Sequence, residues 1–326
     1  TWFGTFRIVL AVIALAFSIV TLIVRAMPLP NNFALFVAVG SPYVALVVVV
    51  VLVSSAITRR VAMAVVATAV VAANLAIQVP WYYFGKPPDV GEHVAVRVLS
   101  ANLRLGRADV PSFVDLARAS ADVITLSEMT PDWLRRFYAT GIRAEFPHSV
   151  LVPAVGAGGF GLWSRFPLEV VTPMKGGSMI AARVRVPGVR VDPVVASVHI
   201  TNALAFYGRA FDKWRSGIAA AKVRMEGLAD AAGSGAVIVA GDFNSTPDMR
   251  QFRDLLTNGY RDAVEQTGAG WGPTFPSYLG LPALITIDHV LTRNAAASSI
   301  RTIDVRGSDH RALLATVAVP LASAAS

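Results

Sequence analysis

The stretch VIVAGDFNSTP, residues 237–247, decides how the rest of the chain is read. Val237 to Ala240 are four apolar residues in a row, the pattern of a fully buried strand. Gly241 breaks the run, and Asp242 and Asn244 follow two apart, so an extended end would aim a carboxylate and an amide the same way. Asp and Asn are common turn formers, so the stretch taken singly reads as a turn. A second reading, that it holds something, depends on how the other strands end.

They end in the same manner. Asn102 follows VAVRVLSA, Glu128 follows DVITLS and His199 follows VVASV. Asp288 lies inside ITIDHVL, and Ser308-Asp309-His310 precedes ALLATVAV. One such residue would be a turn former, a solvated rim carboxylate or a satisfied core histidine. A polar residue at each of six strand ends points to a shared cleft. His289 neighbours Asp288 on a strand and so faces the opposite side, where packing or surface is expected, and His93 and His148 stand outside every motif.

Between these ends, strand and helix patterns mix. Val94–Ser100 alternates as a strand, Val110–Ser120 has helical spacing, and Pro131 opens a short helix. Strand-like HSVLVPAV, FGLWSRF, EVVTP, MIAARVRV and VDPVVASVHI follow one another. A long helix is expected over Ala205–Ala231 and a short one from about Pro247. A loop rich in Gly and Pro then runs to about residue 283, before the strands ITIDHVL, IRTIDV and ALLATVAV. Many strands with few helices predict an α/β fold of two stacked mixed sheets with helices outside.

The first part of the chain is written for another solvent. Of 326 residues 54% are hydrophobic and 15% charged, and residues 1–85 hold four basic residues and no Asp or Glu. Three apolar runs, 8–24, 33–56 and 61–79, have 17, 24 and 19 residues, against the roughly 20 that span a bilayer. A cleavable leader would explain one run but not three. The division expected is a three-helix transmembrane region over 1–80, a juxtamembrane linker over 81–93 and a catalytic domain over 94–326. Arg7, Arg59 and Arg60 on one side against Arg25 and Lys86 on the other favour a cytoplasmic N-terminus. That makes a multi-pass protein of the cell membrane with the later part outside, and Trp81–Phe84 an aromatic belt at the outer interface. With no cysteine, disulfides, thiolate nucleophiles and Cys-based zinc sites are excluded, and there is no HExxH.

The set LSANLRLG, DVITLSEMT, FGLWSRFPL, VASVHITN, VIVAGDFNSTPD, ITIDHVLTR and GSDHRALLA, in this order between about Val96 and Val319, resembles the endonuclease/exonuclease/phosphatase superfamily. That is the deoxyribonuclease-I-like fold, a four-layer sandwich shared by apurinic endonucleases, bacterial sphingomyelinases and inositol polyphosphate 5-phosphatases. GDFN and SDH are its specific pieces. Where the family often has Gln before its metal-binding Glu, Ser127 stands here, and Thr286 replaces an Arg two residues before the Asp of the IDH strand. The resemblance implies a phosphoester hydrolase dependent on Mg²⁺, or Mn²⁺. Glu128 is then a metal ligand with Asn102 and Asp309, Asp242 orients or activates water, and Asn244 holds a phosphate oxygen. It further implies that Asp288 orients His310, and that His199 contacts phosphate or the leaving group.

The substrate is less defined. From Trp81 to Val94 an extended linker spans at most about 45 Å, at roughly 3.5 Å per residue. A site held that near a bilayer meets headgroups at high effective concentration. The expectation is a phosphodiesterase or phosphatase acting on a lipid or lipid-linked phosphoester, with the lipid bilayer as partner. A membrane-tethered extracellular nuclease acting on nucleic acid is the alternative, and a catalytically dead scaffold the third reading.

Overall fold

The computed structural model describes residues 2–171, 177–205, 209–277 and 282–321. The chain opens with α1 (Trp2–Ala26), α2 (Asn32–Val39), α3 (Ser41–Ile57) and α4 (Val61–Tyr83). Thr5–Ala26 and Val61–Tyr83 are each long and apolar enough to cross a membrane. The run expected to form the second span is instead two helices meeting at 65°. Gly40 lies at the corner, and Pro42 sits in the first turn of α3, where its missing N–H has no partner to lose. Among the described residues the candidate spans therefore number two, or three if the bent pair crosses as one broken span.

Next come β1 (His93–Asn102), α5 (Val110–Ser120), β2 (Val123–Ser127), α6 (Pro131–Ala139), β3 (His148–Val152), β4 (Phe160–Ser164) and β5 (Leu168–Val170). They are followed by β6 (Met179–Val184), β7 (Val194–His199), α7 (Ala210–Ala232), β8 (Val237–Asp242) and α8 (Arg250–Arg253). Last are β9 (Arg261–Asp262), α9 (Ala263–Thr267), β10 (Asp288–Arg293), β11 (Ala296–Asp304) and β12 (Arg311–Pro320). The long helix starts at Ala210 rather than Ala205, with 206–208 outside the described residues. The Gly- and Pro-rich loop contains β9 and α9. Five residues carry no readable helical period, and Asp262 starts α9 by accepting the Val264 N–H at 2.7 Å.

The strands form two six-stranded mixed sheets, ordered β11-β12-β1-β2-β4-β3 and β5-β6-β7-β8-β10-β9. One parallel pair lies at the centre of each, β1–β2 and β7–β8, and the other pairings are antiparallel. Val98, Val123 and Leu162 of the first sheet meet Ala182, Val195 and Ile238 of the second in a core between the sheets. The outer face of the first sheet is covered by Phe113 of α5 and Trp133 and Phe137 of α6. Asp109 caps α5 on the Ser112 N–H and Thr130 caps α6 on the Trp133 N–H, each with a proline in the first turn. The outer face of the second sheet packs on Trp214, Ile218 and Met225 of α7.

That last layer also contains Leu29, Ala34, Leu35 and Ala38, which precede or belong to α2. The apolar N-terminal region is thus docked on the sandwich rather than held away on a tether. The segment read as a linker is docked as well. Tyr82 is buried, its carbonyl accepts the Gly270 N–H at 2.7 Å, and a Cβ on Gly85 would lie 2.3 Å from the Glu265 oxygen. Of the expected aromatic belt, Tyr83 and Phe84 are exposed while Tyr82 serves this contact.

Gly241 shows how tightly the second sheet is drawn together where the apolar run ends. Its φ is +151°, and a Cβ there would fall 2.0 Å from the Val198 carbonyl oxygen on β7. Gly241→Ala is expected to part β7 from β8 at a cost of about 3 kcal/mol or more, read as a lower denaturation midpoint.

Candidate active site

Three chemically active side chains stand in one row of the second sheet. His199 on β7 is in register with Asp242 on β8, and Asp242 with Asp288 on β10. Residues in register share a face, with neighbouring strands about 4.8 Å apart. From the first sheet, Asn102 ends β1 and Glu128 follows β2. The two sheets meet at these ends: the Asn102 amide donates to Asp242 Oδ2 at 3.0 Å and to Glu128 Oε1 at 3.3 Å. Glu128 sits at φ +57°, a region a non-glycine residue rarely occupies, and the Leu105 N–H holds its Oε2 at 2.7 Å.

Asp242 is almost fully buried and is the hub. Its Oδ1 accepts the Asn244 N–H at 2.8 Å, and its Oδ2 accepts the Asn244 amide at 3.1 Å. Asn244, itself at φ +45°, also donates to the Ile200 carbonyl at 2.8 Å. The two polar residues of the GDFN turn are therefore bound to one another.

His310 Nδ1 donates to Asp288 Oδ2 at 2.8 Å, leaving Nε2 3.8 Å from Asp242 Oδ2. His199 Nδ1 meets the Ala157 carbonyl at 3.0 Å; a carbonyl only accepts, so this nitrogen carries the proton. Its Nε2 then faces Glu128 Oε1 at 3.6 Å and Asp242 Oδ2 at 3.7 Å. Ser308 closes the ring of loops, donating to the Asn102 carbonyl at 2.7 Å while accepting the His310 N–H at 3.0 Å. Glu128 and His199 open on a cavity of about 710 Å³, lined also by Phe160, Ser178, Asn202 and Arg224.

Of the three expected metal ligands, Asn102 and Glu128 lie together, and the Asp309 carboxylate stands 3.7 Å from Arg104 Nε. Asn102 Oδ1 accepts the Arg104 N–H at 2.9 Å, so the side chain turns its amide, not its oxygen, to the carboxylates. Among the described residues, Asp242, Asp288 and His310 also bring ligand atoms within 4.8 Å of one another. Of that trio, Asp288 and His310 are already bound to one another through Oδ2 and Nδ1. Glu128 Oε1 has unused capacity: the Asn102 amide reaches it at a long 3.3 Å, and His199 Nε2 stands a non-bonding 3.6 Å away. An under-satisfied carboxylate oxygen beside Asp242 suits a hard divalent cation that takes oxygen ligands.

The electrostatics divide the roles. Burial, then the neighbouring Asp288 carboxylate, push Asp242 up to about 6, against the opposing pull of His310 and His199. For His310, burial works against the charged ring, but Asp288 and Asp242 outweigh it and raise the imidazole to about 10. At neutral pH the site thus holds a carboxylate ready to accept a proton beside an imidazolium ready to donate a hydrogen bond. Because Asp242 must be ionised to act as a base, kcat/KM is expected to fall as pH drops through about 6. A cation beside Asp242 favours its charged form, so this acid limb should move to lower pH as Mg²⁺ is raised, which pH–rate profiles at two Mg²⁺ concentrations would check.

Some residues that shape the site carry no motif. His289 does point away from Asp288, but into the interior, where its two nitrogens meet Asp262 Oδ2 at 2.7 Å and the Ser245 carbonyl at 2.9 Å. Trp214 Nε1 contacts the Asn244 carbonyl at 3.1 Å and Ser245 Oγ at 3.0 Å. Both brace the GDFN turn from behind. The DH pair was visible as a doublet in the sequence, whereas nothing marks Trp214.

Residues 99–310 match the model of the Endonuclease/Exonuclease/phosphatase family. Among solved structures, a 3′ phosphatase from Neisseria bound to product DNA hairpin is similar at TM-score 0.54 and 20% identity, over 68% of this chain and 98% of that one. An endonuclease/exonuclease/phosphatase from Bacteroides vulgatus gives 0.53 at 18% identity, over 69% and 99%. An AP endonuclease from Archaeoglobus fulgidus gives 0.53 at 14%, over 68% and 98%. These likenesses are of fold. No curated protein sequence matches the chain. With the family model covering residues 99–310, well over half of the chain, the chain belongs to the endonuclease/exonuclease/phosphatase family.

Proposed function

We propose that this protein is a membrane-anchored, divalent-metal-dependent phosphoesterase acting at the outer membrane face on a lipid or lipid-linked phosphoester. Glu128, with Asp309 from the adjoining loop, would hold Mg²⁺ or Mn²⁺. The ion supplies charge stabilisation at the phosphoryl oxygens. Asp242 takes the proton of the attacking water. His310, oriented by Asp288, donates a hydrogen bond to the phosphoryl oxygens as charge develops there. The Asn244 amide, expected to hold a phosphate oxygen, spends its two hydrogens on Asp242 and the Ile200 carbonyl. His199 Nε2 faces the opening of the cavity, on the side where a leaving group would depart.

The observation that carries the lipid reading is a single loop. Between β9 and β10 the chain touches both the site and the membrane helices. On one side Phe275 lies 4.9 Å from the His310 ring and the Ser277 N–H meets the Asp309 carbonyl at 2.8 Å. On the other, Trp271 packs edge-on against Tyr43 at 5.6 Å, and the Tyr43 hydroxyl donates to the Leu284 carbonyl. The His310 side of the site is thus bordered by a loop that rests on the first turn of α3. The outer-face assignment is supported by Arg7 and Arg60, which line one small cavity at the far end of the bundle.

The test is phosphoester release from total membrane lipids by the detergent-purified chain with Mg²⁺, with Asp242→Ala as the blank. Product that requires both metal and Asp242 would establish a lipid-directed hydrolase. Cleavage of DNA or RNA with none of lipid would replace the reading with an anchored nuclease.

A further inference from the structure

Six residues beyond Asp242, the chain buries another carboxylate. The Asp248 side chain is 1% exposed, and its Oδ1 accepts from Arg25 Nε at 2.7 Å and from Gln78 Nε2 at 2.7 Å. Both donors lie outside the sandwich, Arg25 on the last turn of α1 and Gln78 near the end of α4. The other oxygen, Oδ2, meets no donor among the described residues. The same junction is tied a second time. The Arg253 guanidinium donates to the Pro247 carbonyl at 2.7 Å and to the Arg25 carbonyl, while Gln251 donates to the Leu29 carbonyl at 3.2 Å.

A buried carboxylate is held where its donors are, because leaving it unpaired is far costlier than moving the backbone that carries it. Asp248 therefore pins its own segment to the helix bundle. That segment is the continuation of the GDFN turn, with Asp248 four positions beyond Asn244. Among its ties, the turn is gripped by Trp214 of α7 on the Asn244 carbonyl, by His289 of β10 on the Ser245 carbonyl, and by the bundle on Asp248. The first two grips come from the sandwich itself. The third exists only if α1 and α4 are in place.

We propose that Arg25 and Gln78 are positioning residues for the hydrolytic centre. By binding Asp248 they hold the turn 242–248 so that Asp242 and Asn244 keep their places beside His199 and Asp288. The bundle is then part of the active site's framework as well as its anchor. This rests on the reading of Asp242 as a hydrolytic group. A misplacement near 1 Å at a reacting group costs on the order of 10²-fold in rate, so the loss of this grip is large enough to measure.

The test uses the full chain in lipid nanodiscs, with Arg25→Met, Gln78→Leu and Arg25→Lys. Turnover is read with bis(p-nitrophenyl) phosphate and Mn²⁺, a soluble diester whose delivery does not depend on the bilayer. Hydrogen exchange of residues 242–249 is read in parallel without metal. Arg25→Met is expected to lower kcat by about 10- to 100-fold with KM within about twofold, and to speed exchange at 242–249 while β1 and β12 keep their protection. Arg25→Lys should restore most of both, and Gln78→Leu, which removes a neutral donor, should show the same pattern more weakly. Wild-type kcat and exchange in a folded Arg25→Met protein would overturn the proposal. So would loss of protection throughout β1 and β12 in Gln78→Leu as well, which would make the contact a general prop of the fold. If the wild type turns over no phosphoester, the hydrolase reading fails, and exchange at 242–249 still decides whether the bundle holds the turn.

Discussion

Asp242→Asn is expected to lower kcat for phosphoester hydrolysis by roughly 10³-fold or more while leaving the protein folded. The substitution keeps size and shape at a position 1% exposed, so no cavity is made. What changes is charge and hydrogen-bond sense. Asp242 accepts from the Asn102 amide and from the N–H and the amide of Asn244. An asparagine offers one oxygen to those three donors and turns an N–H₂ against the rest. It also cannot take a proton from water. A second readout separates loss of chemistry from loss of structure. His310 is raised to about 10 by Asp288 and Asp242 together, so removal of one anion should bring its titration down, visible by NMR in the variant. Unchanged turnover in Asp242→Asn would rule out Asp242 as the base.

The second large effect is expected at Glu128. Glu128→Gln keeps an oxygen for the Leu105 N–H but removes the charge beside Asp242. Its Oε1 is left under-satisfied, with the Asn102 amide at a long 3.3 Å. The loss of a metal-held charge is worth several kcal/mol, or on the order of 10²–10³-fold. Mn²⁺ titration calorimetry should therefore show affinity falling by about that factor, with hydrolysis falling alongside it at fixed metal. Full Mn²⁺ affinity in Glu128→Gln would move the metal to the Asp242, Asp288 and His310 group. Asp309 then becomes an ordinary partner of Arg104.

The framework was legible because a sheet buried on both faces writes itself as apolar runs, and the polar residue ending each run marks the rim. His199, Asp242 and Asp288 could be named individually for that reason. Their register, which makes them one row, depends on pairings between strands far apart in sequence. The same limit hid the brace on the GDFN turn. Asp248 finds Arg25 and Gln78 across 223 and 170 residues, a distance no local pattern spans. At Gly40-Ser41-Pro42 the interruption was visible but its consequence was not. Whether a glycine and a proline merely kink a helix or turn it by 65° is settled by what α2 packs on, here the layer containing Trp214 and Met225. His289 shows a half-success. Strand alternation gave the side it faces, but not that Asp262 and Ser245 would be waiting there.

Gly85 has one more consequence. With backbone of the Glu265–Gly268 segment pressed against the place of its missing side chain, the passage from α4 into the sandwich has no slack. If the apolar helices cross a bilayer as proposed, the candidate site cannot rise and fall above it as it would on a swinging leash. It stays at one altitude. On the proposed lipid reading, a phosphoester would then be admitted by how far it stands from the hydrocarbon edge as well as by its chemistry, and the protein would act as a gauge of headgroup height.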